Sequence, residues 1–195
     1  ITNEIKNRIY KVGAEPELDF VLTEVGGTVG DIESVPFLEA IRQFRQDLSR
    51  DHAMYIHLTL VPSITAAGEL KTKPTQHSVK ELLQLGIQPN MLVCRSSKAL
   101  SRELKQKISL FCNVLEEDVV SSVDVNESIY EAPLMYNNEG FDERVLNHFG
   151  FQEEDIPPFV NDDWEQMVEV ILSSKQKVTI GVAGKYVSLQ DAYRS

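Results

Sequence analysis

M-Y-I-H-L-T-L-V, Met54 to Val61, is a run of apolar and β-branched residues shut off by Pro62, and it reads as a buried strand. Proline has no N–H to give to a ladder, so Pro62 closes it. Toward the C-terminus, Ser78 to Leu85 is a short helix stopped by Gly86, and Met91 to Cys94 is a further strand. Leu104, Ile108 and Phe111 recur at helical spacing, and Val119 to Val125 is again β-rich. Toward the N-terminus, Leu18 to Glu24 (L-D-F-V-L-T-E) reads as a buried strand that runs directly into Gly26-Gly27. From Ser34 onward, Phe37, Leu38, Ile41, Phe44 and Leu48 repeat with helical period, with Ser34 as the expected N-cap, Pro36 in the first turn, and Arg42, Arg45 and Arg50 on the other face. Strands alternating with helices at this spacing predict an α/β fold built on a mostly parallel, doubly wound sheet, whose ligands bind beyond the carboxyl ends of the strands.

Past residue 150 the pattern changes. Gln152-Glu153-Glu154-Asp155-Ile156-Pro157-Pro158 is acidic and proline-bearing and reads as a linker or surface excursion. A helix is expected from Asp162 to Leu172, and Lys177 to Tyr186 (K-V-T-I-G-V-A-G-K-Y) opens what reads as a new sheet. The expected organisation is therefore an α/β domain over 1–150, an interdomain region over 151–176, and the start of a second α/β domain over 177–195.

The 195 residues are 42% hydrophobic and 25% charged, a composition that can bury a sizeable core. A formal charge of −11 argues against a partner that is a nucleic-acid polymer, whose phosphates are gripped by surplus Lys and Arg. It leaves mononucleotides open, because these need only a few local cations and a metal. Cys94 and Cys112 lie in apolar runs and read as reduced core residues. No run approaches the length of a membrane span and no signal peptide is visible, so a cytoplasmic setting is expected. The chain begins at Ile1, inside a predicted helix, and stops at Ser195 shortly after a fresh strand, which suggests a piece of a longer polypeptide.

Three clusters with chemical potential follow strands. In Glu24-Val25-Gly26-Gly27-Thr28-Val29-Gly30-Asp31-Ile32-Glu33-Ser34, the glycines permit close backbone approach to a ligand, and the carboxylates suit a divalent metal or a sugar or base. A tight turn with a solvated acidic helix start explains the same residues equally well. It is not a Walker A loop, because no Gly-Lys-Ser/Thr ends it. In Gly68-Glu69-Leu70-Lys71-Thr72-Lys73-Pro74-Thr75-Gln76-His77-Ser78, lysines two apart, interleaved with hydroxyls and an amide ahead of a helix, suit an oxygen-rich anion; an ordinary solvated, capped loop is the alternative. The third cluster is Arg95, able to stack on a base, Lys107, able to meet a phosphate, and Asp124, able to accept from an exocyclic amine. Each, taken singly, is also an ordinary surface charge. His57 lies inside a strand and reads as a hydrogen-bonded core residue.

Together, E-V-G-G-T-V-G-D-I-E-S (Glu24 to Ser34) followed by P-F-L-E-A-I-R-Q, and G-E-L-K-T-K-P-T-Q-H-S-V-K-E-L (Gly68 to Leu82), closely resemble the signatures of the CTP synthase family. The likeness continues through C-R-S (Cys94 to Ser96), K-I-S-L-F-C-N-V (Lys107 to Val114) and S-I-Y (Ser128 to Tyr130). V-A-G-K-Y near the end resembles the opening strand of the family's class I glutamine amidotransferase domain. The resemblance implies the C-terminal part of a dethiobiotin-synthetase-like amidoligase domain, incomplete at its N-terminus, in an enzyme that converts UTP to CTP. Mg-ATP phosphorylates the 4-oxygen of UTP, and ammonia from glutamine then displaces phosphate. CTP is the implied inhibitor and GTP the implied activator, and the implied assembly is a homotetramer with the pyrimidine site at its interfaces. By the same resemblance Glu24 is a Mg²⁺ ligand. Asp31, Ile32 and Glu33 line the CTP site, and Lys71, Thr72, Lys73, Pro74, Thr75 and Gln76, with Lys107, bind the triphosphates of UTP and CTP. Arg95, Val123, Asp124 and Val125 bind ATP. The family's N-terminal phosphate loop, second Mg²⁺ ligand and amidotransferase triad have no counterpart here, so no catalytic residue is assigned and residues 1–195 alone are expected to be inactive.

Three readings stay open at this point: part of such an amidoligase, a nucleotide-binding regulatory module without turnover, and a piece whose relevant property is assembly.

Overall fold

The computed structural model describes residues 1–64, 69–125, 127–152, 154, 161–176, 178–181, 183–185 and 188. In chain order the elements are α1 (Thr2–Gly13), α2 (Val35–Asp47), β1 (Ile56–Leu60), β2 (Ser63–Ile64), β3 (Glu69–Leu70), α3 (Lys73–Gln84), β4 (Met91–Ser96), α4 (Arg102–Cys112), β5 (Val119–Val123), α5 (Ala132–Asn138), α6 (Phe141–His148) and α7 (Asp162–Ser173). The chain divides into two units, Ile1–Val160 and Asn161–Ser195.

In the first unit β1, β4 and β5 form a parallel sheet in the order β1-β4-β5, with Ile56 opposite Met91 and Ser96 opposite Val123. The helices α3 and α4 make the crossovers that parallel strands require. Successive residues of β4 point to opposite faces, and both faces are covered. Leu92 and Cys94 pack with Val79, Ile108 and Cys112 of α3 and α4; Met91 and Val93 pack with Val120 and with Tyr136, Phe141 and Val145 of α5 and α6. Each fully buried Leu, Ile, Val or Met side chain among them contributes roughly 1.5–3 kcal/mol. This is the α/β, parallel, doubly wound architecture that the sequence predicts. The short antiparallel pair β2–β3 leaves the carboxyl end of β1 and delivers the chain to α3.

Helix α3 begins at Lys73, five residues ahead of the expected Ser78, because Pro74 falls in the first turn, where a missing N–H costs nothing. It ends where expected. Gly86 adopts φ +80°, the left-handed conformation that terminates a helix and that a Cβ disfavours.

Four expectations need correction. Leu18–Glu24 is not a strand: it has no ladder partner among the described residues, and Leu22 is 91% exposed. Apolar and β-branched composition raises strand propensity, but only pairing makes a strand. Ser34 does not cap α2 with its side chain; its backbone is already helical (φ −82°, ψ −20°), and its Oγ donates to the Asp31 carbonyl at 2.8 Å. The strand from Val119 ends at Val123, short of Val125. Residues 178–181 form no strand, again for want of a partner among the described residues, while Lys177, Val182 and Tyr186 lie outside those residues. Of the acidic stretch after residue 150, Glu153 and residues 155–160 also lie outside them.

Both cysteines are free and fully buried in the same cluster, and burial pushes both thiols up to about 11. Among the described residues no helix is long and apolar enough to cross a membrane.

Candidate functional site

The loop before α2 is shaped by its glycines. Gly27 (φ +91°) and Gly30 (φ +104°) hold left-handed conformations that let the chain turn back on itself. Asp31 pins the turn, since the Thr28 N–H donates to its Oδ2 at 3.3 Å and its own N–H donates to the Thr28 carbonyl at 3.0 Å. Val25 and Val29 pack beside Leu38 of α2 and anchor the loop in the core. The result is a hollow of ≈ 470 Å³ lined by Glu24, Gly26, Gly27, Asp31, Glu33 and Phe37. The Glu24 carboxylate lies along Gly26, so close that a Cβ there would stand 3.5 Å from Oε1. Ile32, 83% exposed, turns away into solvent.

Among the described residues no group of three His, Cys, Asp or Glu side chains converges to hold a metal. A cation beside Glu24 would therefore find at most one or two carboxylates among the described residues, with water and phosphate oxygens available to fill out its shell. That donor set fits Mg²⁺, which keeps several waters and binds through one or two carboxylates plus a nucleotide's phosphates. Phe37 was expected on the buried face of α2; it is instead 47% exposed and lines the hollow. Its place at the first turn after a Gly-rich loop is the signal that could have found it.

The lysine run occupies the carboxyl end of the sheet. The Lys71 N–H donates to the Pro62 carbonyl at 2.9 Å, which ties it to the end of β1, and its ammonium sits 2.8 Å from Glu69 Oε2. Hydrogen bonding to Lys71 holds the exposed Glu69 carboxyl below the usual carboxylate range. Lys73 and Pro74 are exposed at the start of α3, where unsatisfied backbone N–H groups and the helix dipole favour an anion. Thr72 and Thr75 point the other way and are buried. The Thr72 Oγ1 accepts from Gln76 Nε2 at 3.1 Å.

Arg95 and Asp124 stand side by side on the ends of β4 and β5. Arg95 Nη2 donates to Asp124 Oδ1 at 2.8 Å, and the Asp124 N–H donates to the Ser96 carbonyl at 3.0 Å, which holds the pair in register. Both are about half exposed, with Val123 and Val125 flanking the acid. Lys107 is exposed on α4, and no hydrogen bond or ion pair joins it to the other candidates.

The lysine run, Arg95 and Asp124 thus share the carboxyl edge of the sheet, while the Glu24 hollow is lined from the α2 side alone. Among the described residues no hydrogen bond or ion pair links the two regions. His57, read as a core residue, is half-buried in β1 and pairs through Nε2 with Ser78 Oγ at 2.8 Å.

Residues 1–151 match the family model described as the CTP synthase N-terminus. Over its whole length the chain is 55% identical to the CTP synthase of Ruminiclostridium cellulolyticum and 53% identical to that of Desulfitobacterium hafniense, covering 36% of each. It is 54% identical to the CTP synthase of Nostoc punctiforme, covering 35% of it. The chain therefore spans about a third of the length of the curated relatives it matches.

Proposed function

This chain belongs to the CTP synthase family, and from that premise we propose that it supplies part of the nucleotide site of an enzyme that aminates UTP to CTP with ATP. The observation that carries the reading is the Lys71–Gln76 run at the carboxyl end of a parallel sheet, where Lys73 and Pro74 are exposed at the start of α3 and Lys71 is half-buried beside them. In a protein of net charge −11, that is a local concentration of positive potential suited to a triphosphate.

Lys71 and Lys73 neutralise the triphosphate of UTP, with Lys107 contributing where a neighbouring subunit brings it close. Arg95 and Asp124, with Val123 and Val125, receive the adenine of ATP. Glu24 would hold Mg²⁺, whose charge would offset that of the ATP phosphates. The γ-phosphoryl group passes to the 4-oxygen of UTP, leaving ADP; ammonia then attacks C4 and phosphate departs. Phosphoryl transfer depends mostly on positioning and charge neutralisation, so carboxylate, lysines and helix dipole are the parts this chain needs to provide. Asp31, Ile32 and Glu33 belong to the site where CTP inhibits. Residues 1–150 form the synthetase part, 151–176 the interdomain region and 177–195 the start of the glutaminase domain. The intact protein works as a homotetramer in the cytoplasm, with glutamine or ammonia as nitrogen source and GTP as activator.

The test is UTP binding to the intact protein by calorimetry. Lys71→Ala and Lys73→Ala each weaken UTP by about one to two decades, the worth of a charge-assisted contact of roughly 1.5–3 kcal/mol. Unchanged affinity in both removes the triphosphate assignment.

A further inference from the structure

Thr75 lies in the middle of the lysine run and is fully buried. It heads the buried stripe of α3, Thr75–Val79–Leu82, in which Val79 packs with Leu92 and Cys94 of the sheet and Leu82 with Leu38 of α2, while Lys73 and Pro74 face solvent. Its Oγ1 is 3.1 Å from the Leu60 carbonyl, at the last residue of β1, and 3.2 Å from Thr59 Oγ1. Thr59 Oγ1 in turn lies 3.6 Å from Cys94 Sγ, one residue before Arg95. A hydroxyl has one proton, so Thr75 donates to one neighbour and can accept from Thr59, and either arrangement satisfies it. A polar chain thus runs from the first turn of α3 through β1 to β4, inside an otherwise apolar cluster that includes Val79, Leu92 and Cys94.

We propose that Thr75 is a positioning residue, whose buried hydroxyl fixes the first turn of α3, and with it Lys71 and Lys73, to the carboxyl end of β1 without its side chain touching the nucleotide. The inference rests on the reading of the lysine run as a triphosphate site and refines it: the six residues divide into an outward set that meets phosphate and an inward pair, Thr72 and Thr75, that holds the set in place. Removing the hydroxyl while keeping the shape leaves the Leu60 carbonyl short of a partner, and the turn shifts to find one. Removing only the methyl leaves the tether intact.

The experiment compares Thr75→Val, Thr75→Ser, Thr75→Cys and Lys73→Ala in the intact protein under reducing conditions, by calorimetric UTP binding and by KM for UTP and for ATP. Thr75→Val weakens UTP on the order of tenfold, with the KM for ATP unchanged; Thr75→Ser stays within about twofold of the parent. If Thr75→Val does not fold, Ser against Cys decides, because the thiol is a weaker donor and binds UTP several-fold less well than the serine variant. The proposal is overturned by parental UTP affinity in Thr75→Val, by equal affinity in the Ser and Cys variants, or by a loss confined to kcat with both KM values unchanged. That last pattern is a smaller folded fraction. Lys73→Ala separates the two levels: if it binds UTP weakly while Thr75→Val binds normally, the triphosphate reading stands and the positioning role falls. If Lys73→Ala also binds normally, both fall.

Discussion

His57 sits in β1 with Nε2 2.8 Å from Ser78 Oγ, and burial alone pushes its pKa down to about 4, from an ordinary value of 6.5. The folded state therefore refuses a proton that the unfolded chain accepts. Between pH 6.5 and 4 the unfolded chain binds more protons, so stability rises with pH across that window and is lost as pH falls through it. Urea unfolding of the parent and of His57→Gln at pH 7 and pH 5 reads this directly. The parent loses stability on acidification, and the variant loses less by about 1–2 kcal/mol after allowance for partial exposure of the ring. An identical pH dependence in the two would show that the imidazole is not desolvated. The role of His57 was legible because a lone histidine inside an apolar strand has few alternatives. The inward aim of Thr75 was not: its hydroxyl stands among lysines in a contiguous motif, and only the phase of α3, set by Val79 and Leu82, shows which way it points.

At the scale of the element, among the described residues the outer edge of β5 meets side chains and no further strand. The Ser121 N–H donates to Glu139 Oε2 at 2.8 Å, and the Val123 N–H points at Met135 Sδ at 3.2 Å. Glu139 also pairs with Lys105 of α4 at 2.6 Å, so one carboxylate just past α5 satisfies an edge donor and a cation that are both mostly buried. Edge strands left open invite pairing with other chains, and these contacts blunt that edge. Glu139→Ala strands the Ser121 N–H and the Lys105 ammonium together and costs about 2–4 kcal/mol in chemical denaturation, whereas Glu139→Gln, which keeps an acceptor, costs less than half of that. Equal losses would mean that neither the hydrogen bond nor the charge matters there. None of this was legible in the sequence, because it depends on which strand ends at the edge of the sheet. The strands themselves were legible where apolar runs find partners, as in β1, β4 and β5. Leu18–Glu24 has the same composition but no ladder partner among the described residues, and there it forms no strand.

At the scale of the molecule, an acidic chain places Lys71, Lys73, Arg95 and the start of α3 on the carboxyl edge of a parallel sheet, and keeps its Gly-rich carboxylate loop beside α2. The contiguous motifs announced both regions. What the sequence left unstated is how the Glu24 loop is seated: Val25 and Val29 pack with Leu38 of α2, which itself packs on Leu82 and Ile87. The most direct measurement is the conversion of UTP by the intact protein, supplied with ATP, Mg²⁺ and ammonia, with CTP and ADP quantified together in the parent and in Glu24→Gln. CTP and ADP in equal amounts from the parent, and loss of CTP formation in the still-folded Glu24→Gln at limiting Mg²⁺, is the predicted result. A parent that binds UTP and ATP but forms no CTP, or a Glu24→Gln variant that turns over normally at limiting Mg²⁺, would contradict it.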